Sequence, residues 1–383
     1  MNQHLQIIFP GKLIFGSGCF DQLADEIILL NPSRVFIISI DALKASVAKL
    51  CALLTAASIE VLVDTSIVKE PTYSDFDALM KTVAPYNPDV VIGMGGGSVL
   101  DVAKLVAAQL ENDQSLVDYV GIGLLKGRKK KLICVPATSG TDSEVSPNAI
   151  LLDNDNQKKG IISPYLVPDI VYVDPLLTIS VPPAITAATG LDALTHCLEA
   201  YTNKFAMPFI DMYAYEGMRL IAAYIETAVK NGNDVEAREK VAMGSLLGGF
   251  CLGPVNTAGV HALSYPLGSI FHLAHGLSNA LLLPYVMMFN IPAATKRYAE
   301  VAVALGCARS ENDLETAMAG VTKIKQIINA CAVPATLTEV NVPEAAISMM
   351  AADAMKIQRL LKNNPREITE TDAIEIYKAA LHG

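Results

Sequence analysis

Two hydrophobic rhythms divide this chain. Through the first half, short apolar runs rich in β-branched residues alternate with segments whose apolar positions recur every three or four residues. Residues 34–40 read as a strand, and residues 42–57 as the helix that follows. Strands at 59–63, 89–94, 132–136 and 170–173 and helices at 73–84 and 100–110 continue the alternation. Strands apolar on both faces and separated by helices predict a mostly parallel sheet wrapped by helices.

The rhythm changes at Val181-Pro182-Pro183, a natural hinge. Beyond it only the helical period remains, over residues 184–201, 207–230, 235–252, 260–271, 277–290, 293–305, 314–331 and 343–361. The expectation is an α/β domain over residues 1–182, followed by an all-helical domain over 183–383. Ligand sites favour domain interfaces and the C-terminal ends of parallel strands, so the active site is expected in a cleft between the halves. No internal repeat or low-complexity tract interrupts this plan.

Composition narrows the classes. With 383 residues, 52% hydrophobic and 18% charged, the chain is long enough for two domains and apolar enough for a large core. A net charge of −10 argues against nucleic acid and anionic membrane surfaces as partners. The one basic cluster, residues 126–131, reads as a solvated loop. Seven scattered cysteines without a Cys-x-x-Cys motif suggest free thiols in a reducing cytoplasm. The N-terminus shows no secretory signal, and the apolar run at 280–289 is short and contains Pro284, so no membrane span is expected.

Candidate chemistry gathers in two places. Asp192 and His196 are four apart in a helical pattern, so both leave one face, one turn apart. His261 and His275 could close the other side of a divalent cation held there. One carboxylate and three imidazoles without thiolate suit Fe²⁺, Zn²⁺, Mn²⁺ or Ni²⁺. The second place is Gly93-Met-Gly-Gly-Gly-Ser98, directly after a buried strand and opening a helix. Glycines at 95–97 let the backbone approach a pyrophosphate, free N–H groups face its charge, and Ser98 adds a hydroxyl donor. A tight turn with nothing bound is the bland alternative. The spacing matches neither a Rossmann fingerprint nor a Walker A loop. Asp101 can hold the loop or reach a diol. The polar turn at 136–144 supplies further donors or is an ordinary Ser/Thr turn. Asp41, after the first strand, could accept from a ribose diol and repel a 2′-phosphate, or cap a helix.

Taken together, these motifs resemble the iron-containing (group III) alcohol dehydrogenases, the family that includes lactaldehyde reductase and 1,3-propanediol dehydrogenase. The resemblance runs nearly end to end. It rests on Phe15-Gly-Ser-Gly18, on Gly-Gly-Gly-Ser-x-x-Asp-x-Ala-Lys at 95–104 and on Pro-x-Thr-x-Gly-Thr-x-Ser-Glu at 136–144. It continues through residues 188–196, His275-Gly-Leu-Ser-Asn-Ala280 and Asn364-Pro-Arg366. It implies a dehydroquinate synthase-like architecture, a dinucleotide-binding domain over 1–182 and a metal-binding catalytic domain over 183–383, with Asp192, His196, His261 and His275 as ligands of Fe²⁺, or of Zn²⁺ in some members. It further implies that Gly96, Gly97 and Ser98 bind the pyrophosphate. Thr138, Thr141 and Lys159 would contact the dinucleotide, and Asp41 would select NAD over NADP. A homodimer or larger homo-oligomer fits the same family.

Three departures stand out. Where the family often carries a second histidine four residues after the third ligand, this chain has Tyr265. A phenol can relay a proton but is a weak base at neutral pH. His272 could take over part of that work, or be a polar cavity residue. The usual Pro-Asn-Pro-Thr turn reads Lys69-Glu70-Pro71-Thr72 here, and the segment 252–258 is longer than in lactaldehyde reductase. The expected activity is reversible, NAD-linked oxidation of a small alcohol, diol or hydroxy acid, or reduction of the matching aldehyde. Phe250 and Phe271 are candidate pocket walls. A glycerol dehydrogenase-like or other metal enzyme on the same scaffold, and a non-catalytic nucleotide sensor, are the alternatives.

Overall fold

A computed structural model describes residues 5–155 and 157–383; the expectation about the N-terminus falls largely on residues 1–4, which lie outside them. The chain divides into two compact units, one of residues 6–138 and 142–180, the other of residues 181–383 with 139–141.

The first unit alternates β1 (Lys12–Phe15), α1 (Leu23–Leu29), β2 (Arg34–Ile38), α2 (Lys44–Ala56), β3 (Glu60–Asp64), α3 (Tyr73–Tyr86), β4 (Val90–Gly95) and α4 (Gly97–Gln109). It continues with β5 (Gly121–Ile122), β6 (Lys131–Pro136), β7 (Asn148–Leu152), β8 (Lys158–Ile162) and β9 (Ile170–Val173). Six strands form one sheet in the order β1-β9-β6-β4-β2-β3, every pair parallel. In the centre Ile37 pairs with Ile92 and Gly93 with Cys134. Residues of β4 are buried on both faces, as the unbroken apolar run predicts. Because strand order reverses around β4 and β2, the loops after those strands open at a topological switch point, where open α/β sheets bind ligands.

Part of this unit is absent from the periodicity reading. β1, α1 and the hairpin β7–β8 escaped it, and that hairpin, with β5, makes a separate three-stranded sheet containing the antiparallel pair. These strands are short; β7 buries alternate residues but reads Asn-Ala-Ile-Leu-Leu, and half-exposed β8 reads Lys-Lys-Gly-Ile-Ile, so neither sequence alternates apolar with polar. The motif Phe15-Gly-Ser-Gly18 proves to be the turn after β1. Gly16 and Gly18 take φ of 143° and 83°, and the Gly18 N–H donates to Asp174 Oδ1 at 3.0 Å.

The second unit is helical: α5 (Pro183–Thr202), α6 (Pro208–Lys230), α7 (Val235–Leu252), α8 (Gly259–Phe271), α9 (His275–Ala304), α10 (Asp313–Ala330), α11 (Ile347–Ala354), α12 (Gln358–Leu361) and α13 (Glu370–His382). The expected helices at 277–290 and 293–305 are the two arms of α9, which meet at a kink where Ala294, two residues after Pro292, leaves helical φ/ψ. By length and composition α9 could cross a membrane, but 67% of its apolar window is buried inside the protein, as a core helix is. The expected helix at 343–361 is instead a 3₁₀ turn, Glu344–Ala346, then α11 and α12. Ile357 leaves helical space there, and the break lets Leu360 and Leu361 bury. α13, capped by Thr369 and Asp372 in a reciprocal box, was legible in Thr-x-x-Asp but missed.

Candidate metal centre and nucleotide loop

α5 carries Asp192 and His196 on one face, α8 carries His261, and His275 is the first residue of α9. Close helix packing is what brings them together. A Cβ on Gly276 would lie 2.0 Å from the carbonyl oxygen of Ala188, so only glycine lets α9 begin so near α5. One ligand atom each from Asp192, His261 and His275 lies within 4.8 Å of the others. Asp192 Oδ1 is 3.5 Å from His261 Nε2, 3.9 Å from His275 Nε2 and 3.7 Å from His196 Nε2. The His196 and His261 rings stack with centroids 4.9 Å apart. All four expected residues therefore converge. Asp192 and His261 are buried, whereas the His275 side chain is 32% exposed and marks the accessible side.

The electrostatics favour a cation. Burial works to raise the Asp192 carboxyl, but His275, His196 and His261 outweigh it and hold the group well below the usual carboxylate range. Burial works to lower the His261 imidazole, but Asp192 and Glu199 outweigh it and raise it to about 10. Asn279, one turn into α9, is fully buried, with Nδ2 2.6 Å from Asp192 Oδ1, 3.0 Å from His261 Nε2 and 3.5 Å from His275 Nε2. Its Oδ1 is buried without a hydrogen-bond partner. A polar nitrogen set among three ligand atoms, with its own oxygen orphaned, fits a donor set shaped for a divalent ion of the hard-to-borderline class.

Glu199 and Asn279 were missed in the sequence. Both carried a signal: Glu199 follows His196 by three residues and Asn279 follows His275 by four, each on its ligand's helix face. The motif Asn364-Pro-Arg366 is architectural. Asn364 exchanges hydrogen bonds with Asn290 at 2.7 and 2.9 Å, and the neighbouring Asn363 donates to Thr257 O at 2.8 Å. With Asn203, which donates to Asn256 O at 3.1 Å, these amides fasten the segment 252–258 that leads into α8.

The proton-relay candidates fare differently. The Tyr265 ring lies 5.9 Å from that of His275, and its hydroxyl accepts from Arg359 Nη2 at 2.8 Å. His272 is exposed, the left-handed C-cap of α8 at φ 55°, and no hydrogen bond joins it to the ligand cluster among the described residues. The backbone of His272 closes α8: the helix ends there, and α9 starts beyond it.

In the sheet unit, Gly96 is the N-cap of α4, and Gly97 and Ser98 open its first turn. The glycines before the loop serve packing: a Cβ on Gly93 would meet Ala103 Cβ at 2.7 Å, and one on Gly95 would meet Val99 Cβ at 2.9 Å. Gly96 is not crowded, with Thr138 3.6 Å from the place of its Cβ, so loop and polar turn lie side by side. The diol reading of Asp101 is corrected. Its Oδ1 accepts from Ser143 Oγ at 2.5 Å and its Oδ2 from Ile150 N–H at 2.9 Å, so both oxygens hold the turn. Beside it, buried Lys104 donates to Ser146 O at 2.9 Å and Asn148 O at 2.7 Å. Asp41 is exposed within a 3₁₀ turn after β2 and caps no helix, since Ile40 holds the cap position. Lys159, on β8, pairs with Asp153 at 3.0 Å, and Thr141 sits half-buried after Gly140, which abuts Thr189 of α5. In the Lys69-Glu70-Pro71-Thr72 turn, Thr72 caps α3 and Glu70 pairs with Lys158 at 2.5 Å, so the turn is fastened to the hairpin.

A fold of this kind bearing this donor set defines a class. The family model for iron-containing alcohol dehydrogenase matches residues 10–175, and that for the C-terminal part of the Fe-containing alcohol dehydrogenase family matches residues 186–381. The chain belongs to the iron-containing alcohol dehydrogenase family and is an NAD-dependent oxidoreductase of that kind. It is 39% identical to long-chain-alcohol dehydrogenase 1 of Geobacillus thermodenitrificans over 99% of this chain and 97% of that protein. The solved structure of a 1,3-propanediol oxidoreductase superposes with a TM-score of 0.95 at 30% identity, covering 99% of this chain and 100% of that one. The sulfoacetaldehyde reductase of Bifidobacterium kashiwanohense in complex with NAD⁺ matches at a TM-score of 0.89 and 28% identity, covering 100% of this chain and 99% of that one.

Proposed function

We propose that Asp192, His196, His261 and His275 hold one divalent cation, Fe²⁺ or alternatively Zn²⁺, and that the chain interconverts an alcohol and its aldehyde with NAD(H). The observation that carries this is the convergence of a carboxylate and three imidazoles around Asp192 Oδ1. When bound, the ion supplies Lewis-acid charge to the reacting oxygen, and the nicotinamide supplies or accepts hydride. The protein's own residues do the rest. Gly96, Gly97 and Ser98 present backbone and hydroxyl donors at the start of α4 to the pyrophosphate, with Thr138 and Thr141 as further donors. Asp41, free of a capping duty, accepts from the adenosine ribose diol and disfavours a 2′-phosphate. Lys159 adds positive charge through the hairpin beside that turn. Tyr265 holds a proton on a hydroxyl oriented by Arg359 and passes it at Oη toward the exposed side of His275.

The functional division follows residues 1–182 for the dinucleotide and 183–383 for the metal. No disulfide joins the cysteines among the described residues, which supports a reducing, cytoplasmic setting. The partner is a small-molecule alcohol or aldehyde, with a homo-oligomer as the working assembly. Two substrate ranges are in play. Small alcohols, diols and hydroxy acids match the 1,3-propanediol relative, whereas the 39% identity to a long-chain-alcohol dehydrogenase favours an extended aliphatic tail. Phe250, edge-on to Tyr213 at 5.6 Å, is a candidate wall for either.

The test is metal content of protein purified without air, with NADH oxidation on aldehydes of increasing length before and after chelation. We expect near one metal per chain, activity lost on chelation and restored by Fe²⁺, and loss of metal and activity together in His261→Ala. Turnover that survives metal removal would overturn the reading. The length profile then selects the substrate range.

A further inference from the structure

Glu199 is buried at 3% exposure and accepts three hydrogen bonds that converge on the N-terminus of α8. Its Oε2 takes the Ala258 N–H at 2.9 Å and lies 2.6 Å from His261 Nδ1, and its Oε1 takes the Val260 N–H at 2.6 Å. No lysine or arginine pairs with this carboxylate among the described residues; the hydrogen bonds it accepts come from two backbone amides and one imidazole. A carboxylate has no donor, so Nδ1 must carry the proton. In the neutral imidazole that binds a metal ion, that leaves the lone pair on Nε2, the nitrogen turned toward Asp192, 3.5 Å away.

We propose that Glu199 is the positioning residue of the metal centre. It fixes the His261 tautomer and ring orientation, makes that imidazole a better donor, and joins α8 to the helix that carries Asp192 and His196. This rests on the reading of Asp192, His196, His261 and His275 as ligands. A carboxylate behind a metal-binding histidine typically changes affinity by roughly 10- to 100-fold. Asn279 does not substitute for it, because its amide reaches the ligand atoms themselves, including His261 Nε2 at 3.0 Å.

Glu199→Gln separates this role from mere shape. The glutamine amide has nearly the same volume but one acceptor oxygen. If its NH₂ faces Val260 N–H, two donors meet. If it faces His261, it donates to Nδ1 and moves the ring proton to Nε2, where the metal lone pair should be. The measurement is Zn²⁺ affinity of the full chain by competition with a chromophoric chelator, with circular dichroism of the metal-free proteins alongside. We expect a 10- to 100-fold loss of affinity in Glu199→Gln with an unchanged spectrum, partly recovered in Glu199→Asp. Wild-type affinity in Glu199→Gln, with wild type binding one Zn²⁺ per chain, would overturn the role of Glu199 and leave the ligand set standing. A wild type that takes up no Zn²⁺ would overturn both. Should Glu199→Gln fail to fold, ¹⁵N-histidine NMR of Zn²⁺-loaded wild type decides: Nδ1 protonated and Nε2 metallated supports the proposal, and the reverse refutes it.

Discussion

Gly276→Ala probes the packing on which the metal centre depends. A methyl there would lie 2.0 Å from the Ala188 carbonyl oxygen, 2.7 Å from its carbon and 3.2 Å from Asp192 Cβ. Ordinary contact starts at 3.4 Å, so the beginning of α9 and the α5 backbone must part by over an ångström. Two effects oppose each other. Alanine favours the helix over glycine by about 1 kcal/mol at an interior position, and less in the first turn. Overpacking against backbone, which cannot rotate away, costs about 1–3 kcal/mol and belongs at the upper end of that range. The collision should win, for a net loss of roughly 1–2 kcal/mol. His275 adjoins Gly276 and moves with it, away from Asp192, so Zn²⁺ affinity should fall as well. Urea denaturation of the metal-free protein and chelator competition measure the two effects. Gly127→Ala, where a Cβ meets nothing within 4 Å, is the control. A Gly276→Ala protein as stable as wild type with unchanged metal affinity would refute the idea that this close approach sets the ligand geometry.

Other outcomes follow from closely packed groups elsewhere in the chain. Lys104→Met removes the donor to Ser146 O and Asn148 O and the cation beside buried Asp101, so urea denaturation should give an unfolding free energy lower by on the order of 3–5 kcal/mol. Burial, and then the nearby Asp142, push the Glu144 carboxyl up from 4.5 to about 8. The folded chain therefore keeps a proton that the unfolded chain releases, and stability should fall as pH rises between those values. Glu144→Gln should flatten that part of the profile, as thermal melts from pH 4 to 9 would show. Gly140→Ala would place a Cβ 2.1 Å from Thr189 O, so differential scanning calorimetry should record a lower Tm.

Apolar period was enough to read β2, β4, β6 and β9 and most helices of the second unit, because their burial is repeated over many residues of one chemical kind. It was also enough to propose Asp192 and His196, since one helical turn sets their relation without help from the rest of the chain. What it could not supply was relation across distance. The break between α11 and α12 depends on which neighbours each segment meets. The same limit separates Asp101, whose two oxygens are taken by Ser143 and Ile150, from the diol-binding role its motif suggested. Glu199 stands in the sequence three residues after His196, on the same helix face, with nothing there to show what it meets. Only the folded chain sets it 2.6 Å from an imidazole 62 positions away, because burial leaves a carboxylate no water to bind and makes its protein partners decisive.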